Sequence, residues 1–227
     1  THYKYPINDF VLIPRFAVHD PEFTRGLPAS ITGQTGMDAL THAVEAFIGR
    51  STTPYTRKMA RQAVQLIHDN LLEAYEYGDD MRARRNMLSA AYKAGVAFTR
   101  SYVGYVHAIA HSLGGRYGIP HGLANAIILP VVMEYNAPYT GEKYREIARA
   151  MGVEGVDAMT QEEYRKAACD AVRKLGQDVG IPADLKAIVK DEDVQFLSES
   201  AYADACRPGN PRDTSVEEIA ALYRSLL

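Results

Sequence analysis

The residues best equipped for chemistry lie in GYVHAIAHSLGGRYGIPHGLANAIILP, residues 104–130, which holds His107, His111 and His121 within fifteen positions. His107 and His111 are four apart, and His121 follows a Gly-rich turn at the head of a long apolar run. Upstream, GMDALTHAVEAF sets Asp38 and His42 four apart on another apolar stretch. Residues four apart on a helix share a face one turn apart, so each pair can reach a single ion. The GGRYGIP turn can fold a second histidine-bearing helix back beside the first. One carboxylate with several imidazoles suits Fe, Zn, Ni or Co; Ca and Mg prefer all-oxygen shells. Ala43, Ala108 and Gly122, each beside a candidate, let helices approach closely. Taken singly, such a histidine is ordinarily a hydrogen-bonded core residue, and Asp38 alone would suit a helix N-terminus through the dipole. Collected together, unpaired buried ionisable groups cost kilocalories each, and a shared metal supplies the reason for them. Spacing leaves open which of His107 and His111 ligates and which stands behind it. His2, His19 and His68 fall outside these patterns and are read as non-functional.

Helices must position these groups. Apolar residues Met37, Leu40, Val44 and Phe47 recur at intervals of three and four and predict a helix from about 36 to 48. Pro54 opens a second, about 55–76, and a third covers about 80–99. The histidine-bearing helices are expected at about 104–113 and 121–134, with Pro130 kinking the second or lying near its end. Further helices are expected over 139–151, 161–179, 183–189 and from 191 to 204, and 206–214 reads as a loop. Ser215 with Glu218 forms a capping box for a last helix. Residues 1–33 differ: Phe10–Leu12 and Phe16–Val18 read as short strands. Without partners they would leave backbone groups unpaired, so they are expected to belong to a sheet that lies outside this chain.

The totals narrow the class. The 227 residues suffice for one large domain or two small ones. A net charge of −3, with no Lys/Arg-rich run, gives no support to a nucleic-acid partner. Two cysteines without metal spacing suggest a reducing, cytoplasmic compartment. No membrane span is expected, because the longest apolar run, 119–133, is too short and too polar. G-x-S-x-G is absent, neither cysteine has a histidine near it in sequence, and GGRYG lacks the strand and the lysine of a P-loop.

The chain resembles the C-terminal part of the iron-containing (group III) alcohol dehydrogenases. DPEFTRGLP, TGMDALTHAVEAF, GYVHAIAHSLGGRYGIPHGLANAIILPVVMEYN and ACRPGNPR carry that resemblance, in order along nearly the whole length. It implies Asp38, His42, His107 and His121 as metal ligands. It places His111 beside nicotinamide and substrate in proton transfer, and Ile31 at a position that contacts the cofactor. It further implies Fe(II), with Zn, Ni or Co as substitutes, NAD or NADP, a small alcohol or aldehyde as substrate, and a homodimer. The fold class expected is all-α: a helical metal-binding and catalytic domain over 34–227, preceded at 1–33 by a strand-forming remnant of an α/β dinucleotide-binding domain. Nothing in the chain corresponds to the Gly-rich pyrophosphate loop of such a domain. The chain is therefore expected to be the metal-binding half of the enzyme and inactive alone. A stand-alone helical metal-binding module is the alternative. A related lyase of the dehydroquinate synthase kind is a third reading, disfavoured by three-histidine ligation and IPHGLANAI.

Overall fold

The computed structural model describes residues 4, 6, 7 and 9–227. Among them are nine α-helices and no strand: α1 (Ala29–Ile48), α2 (Pro54–Glu76), α3 (Met81–Ser101), α4 (Tyr105–Tyr117), α5 (His121–Asn136), α6 (Lys143–Ala150), α7 (Gln161–Asp178), α8 (Val194–Tyr202) and α9 (Val216–Arg224). The all-α expectation is borne out. No helix among the described residues is long and apolar enough to cross a membrane.

α1 is the central element, packed against α2, α3 and α5, while α4 lies between α5 and α8. α6 packs on α7, and α9 packs on α8. One continuous core runs through them, with Leu40, Phe47, Ile67, Leu71, Ile109 and Leu113 all essentially inaccessible. Local chemistry sets several ends. Thr53 with Thr56, Thr160 with Glu163, and Ser215 with Glu218 form reciprocal capping boxes, the last as predicted. Pro54 occupies the first position of α2. Gly118, at φ 67°, closes α4 in the left-handed conformation that only glycine adopts without penalty.

The departures from expectation have physical causes. α1 begins at Ala29, seven residues before the predicted start. Gly33 and Gly36 argue against helix locally, at about 1 kcal/mol each relative to alanine. Packing overrides this: a Cβ at Gly36 would lie 2.2 Å from Leu71 Cδ1, and one at Gly33 would lie 2.8 Å from the Val179 carbonyl oxygen. α4 runs one turn beyond its predicted end, through Gly114 and Gly115 to Tyr117, so the interhelix turn is only 118–120. α5 continues through Pro130 to Asn136.

The predicted strands do not form. Phe10–Leu12 is a 3-10 turn capped by Asp9, and Phe16–Val18 has no regular structure. A strand without a neighbour leaves its ladder groups unpaired, and their apolar side chains stand in the open, Phe16 and Val18 at 87% and 92% exposure. The predicted helix at 183–189 is a turn, in which the Leu185 N–H donates to the Leu226 carbonyl and the Ile188 N–H to that of Leu185. Seven residues are too few to hold a helix against such a tie. The helix expected from 139 starts at Lys143, because Gly141 takes a positive φ of 58° before it. The segment from 191 opens as a 3-10 turn before α8, and Arg207–Gly209 forms another within the predicted loop.

Candidate metal centre

α1 presents Asp38 and His42 one turn apart, α4 presents His107, and His121 is the first residue of α5. The structure brings all four together, with one donor atom from each within 4.8 Å of the others. His107 Nε2 and His121 Nε2 lie 3.9 Å and 3.7 Å from Asp38 Oδ1, and the His42 and His107 rings stack 4.6 Å apart. Close helix approach permits this. A Cβ at Gly122 would lie 2.5 Å from the Gln34 carbonyl oxygen, so α5 meets α1 almost backbone to backbone.

Asn125, one turn after His121, lies at the focus of these groups. Its Nδ2 is 2.5 Å from Asp38 Oδ1, 3.2 Å from His107 Nε2 and 3.1 Å from His121 Nε2. A carboxamide nitrogen carries two hydrogens, and three polar atoms converge on it, the Asp38 carboxylate oxygen and two ring nitrogens. Asn125 Oδ1 and His121 Nδ1 are meanwhile buried without a partner. The Asp38 carboxylate and the ring nitrogens gathered around it form a set of lone pairs that a divalent cation can share. Ionisation agrees. Burial pushes His42 down to about 3 and His121 down to about 4, each reinforced by neighbouring histidines, so both present neutral rings. Burial works to raise the Asp38 carboxyl, but His42, His107, His121 and the Asn125 hydrogen bond together hold it below the usual carboxylate range. One ionised carboxylate with neutral imidazoles is a donor set for Fe, Zn, Ni or Co.

Two buried carboxylates stand behind the α4 histidines. Glu45 Oε2 is 2.5 Å from His107 Nδ1, and its Oε1 accepts the Val106 N–H at 2.8 Å. Asp204 Oδ2 is 2.9 Å from His111 Nδ1, and its Oδ1 accepts the Cys206 N–H at 2.8 Å. His111 is thus tied to a different partner from the Asp38 group, although its ring stacks 5.5 Å from that of His121. A cavity of about 400 Å³ opens against His107 and His111, walled by Phe98, Tyr102, Val103 and Cys206.

Of the expected site residues, Asp38, His42, His107 and His121 converge and His111 lies alongside. Ile31 does not join them: it sits two turns before Asp38 on α1, its side chain partly exposed. His19 packs edge-on to Tyr92, His68 lies where a Cβ on Gly152 would fall, and His2 is outside the described residues. Four contributors were not anticipated. Glu45 and Asn125 carried a usable signal, since 38, 42 and 45 share a face of α1 and 121 and 125 a face of α5. Asp204 and Cys206 carried none. Along the chain no cysteine has a histidine near it, yet in space His111, Asp204 and Cys206 offer donor atoms within 4.8 Å of one another.

Residues 32–227 match the family model for the C-terminal part of the Fe-containing alcohol dehydrogenases. The chain is 42% identical over 225 residues to 1,3-propanediol dehydrogenase of Klebsiella pneumoniae, covering 99% of this chain and 58% of that protein. It is 44% identical over 214 residues to lactaldehyde reductase of Escherichia coli (strain K12), covering 94% of this chain and 55% of that one. The crystal structure of a 1,3-propanediol oxidoreductase superposes with a TM-score of 0.90 at 42% identity, over 92% of this chain and 55% of the other. The chain therefore spans little more than half the length of these relatives. With a helical fold that superposes this well and a family match running from α1 to the last residue, the chain belongs to the Fe-containing alcohol dehydrogenase family.

Proposed function

We propose that this chain is the metal-binding half of an NAD(P)-linked dehydrogenase that interconverts a small alcohol and its aldehyde. Residues 34–227 are the metal-binding and catalytic unit in this reading. Residues 1–33, with Phe10, Phe16, Val18 and Phe23 standing exposed, belong with a dinucleotide-binding unit. The observation that carries the reading is the convergence of Asp38, His42, His107 and His121, which bring one donor atom each to within 4.8 Å of the others.

Asp38, His42, His107 and His121 would hold the ion, Fe(II) in the family's usual form. Bound there, a divalent metal supplies Lewis acidity toward the substrate oxygen. The chain's own residues do the rest. The apolar wall of Phe98, Tyr102 and Val103 takes the carbon end of a small substrate. His111, facing the same cavity, accepts the hydroxyl proton. The carbon-bound hydrogen leaves with both bonding electrons for the nicotinamide ring, so the alcohol is oxidised to a carbonyl as NAD(P)+ is reduced. Ile31, partly exposed near the start of α1, contacts the cofactor in this reading.

The test is metal content and turnover. The chain should bind one equivalent of Zn(II) or Fe(II), and His107→Ala should lose it. Joined to a dinucleotide-binding unit, the chain should reduce NAD(P)+ with a short-chain alcohol, and the His107→Ala form should not. Tight metal binding with no turnover in the joined protein would favour the stand-alone metal-binding module instead.

A further inference from the structure

Glu45 and Asp204 are built alike. Both are buried, at 3% and 4% exposure, and each gives one oxygen to a backbone N–H and the other to Nδ1 of a histidine on α4. A backbone N–H can only donate, so it pins the orientation of its carboxylate and commits the second oxygen to the histidine. His107 and His111 are equivalent in sequence, one turn apart on one helix. Their rings are nonetheless set 70° to one another, with centroids 6.1 Å apart. Their carboxylates come from different places: Glu45 from α1, beside the Asp38 group, and Asp204 from just beyond the C-terminus of α8.

We propose that Asp204 is a positioning residue, which holds His111 as the Nδ1–H tautomer, keeps the ring out of the metal shell and leaves Nε2 as the one ring atom able to accept a proton. This rests on the role given above to His111. A neutral imidazole carries a single N–H, and the partner of one nitrogen decides the state of the other. With Nδ1–H donating to Asp204 Oδ2, the lone pair is at Nε2, and the ring borders the cavity. The opposite tautomer would put two lone pairs, on Nδ1 and the carboxylate, face to face at 2.9 Å.

The substitution that isolates this effect is Asp204→Asn, nearly the same shape. Its single carbonyl oxygen must take the Cys206 N–H, which turns the NH₂ toward His111 Nδ1 and demands a lone pair there. His111 then has to become the Nε2–H tautomer. The readout is long-range ¹H–¹⁵N correlation of the labelled chain with Zn(II) at pH 8, the His111 signals assigned by their loss in His111→Gln. Wild type should show a protonated Nδ1 and a bare, zinc-free Nε2. Asp204→Asn should show the reverse at unchanged zinc stoichiometry. An Nε2–H tautomer in wild type, a zinc-shifted His111 nitrogen, or a tautomer indifferent to Asp204→Asn would each overturn the proposal. The wild-type spectrum decides the matter even where the variant folds poorly. Failure of the dehydrogenase reading shows separately, as absent turnover in the joined protein with the tautomer intact.

Discussion

Replacing Glu45 by Gln should separate metal affinity from fold. Glu45 has two fixed obligations, the Val106 N–H at 2.8 Å and His107 Nδ1 at 2.5 Å. Glutamine has one carbonyl oxygen for both. The Val106 N–H can only be met by that oxygen, so the NH₂ faces His107 Nδ1 and forces the proton onto Nε2. That is the nitrogen 3.9 Å from Asp38 Oδ1, on the side where the metal would sit. Loss of such outer-shell partners weakens metal binding about 10–100-fold, or about 1.4–2.8 kcal/mol at 1.4 kcal/mol per decade. Side-chain volume and both hydrogen bonds survive, so the metal-free thermal midpoint should fall by no more than about 2–4 °C, the equivalent of about 1 kcal/mol at this chain length. At a metal concentration 100 times the wild-type Kd, binding stabilises wild type by about 2.7 kcal/mol and the variant by only about 0.4–1.4 kcal/mol. Titration calorimetry with Zn(II) gives the first quantity, and thermal unfolding with and without chelator gives the second. If Glu45→Gln bound zinc within threefold of wild type with the same thermal gain, the tautomer argument would be refuted. Glu45→Ala is the contrast: it strands the buried Val106 N–H, at about 1–3 kcal/mol, and should lower the metal-free midpoint as well.

Two further substitutions probe the scaffold. Gly122→Ala places a methyl 2.5 Å from the Gln34 carbonyl oxygen, so α5 must move off α1. Overpacking of this kind costs about 1–3 kcal/mol; thermal melts should show the loss, and zinc titration should show weakened binding because His121 moves with α5. Ser215→Ala removes the cap that accepts the Glu218 N–H at 3.2 Å and should cost about 1 kcal/mol. Zinc affinity should be unchanged, since α9 reaches α4 through Tyr223, which hydrogen-bonds Ser112 and the Ile109 carbonyl, and supplies no donor to the Asp38 group.

Much of this molecule was legible in its residues. Apolar periods of three and four marked α2, α3 and α7 nearly to their ends, and Ser215 with Glu218 announced α9. Four-residue spacing put Asp38 and His42 on one face of α1. These signals are local: each is complete within one or two turns, so chain order carries it. Tertiary structure decided what depends on distant neighbours. α1 starts at Ala29 because Gly33 and Gly36 lie against Val179 and Leu71. Phe10–Leu12 and Phe16–Val18 have strand-like composition but no strand to pair with among the described residues. The sharpest case is the pair His107 and His111, indistinguishable by spacing. Packing gives one a carboxylate 62 positions away and the other a carboxylate 93 positions away. Such partners are chosen by how helices stack; both carboxylates take Nδ1, so the roles part on where each packed ring lies, His107 among the donors around Asp38 and His111 outside them.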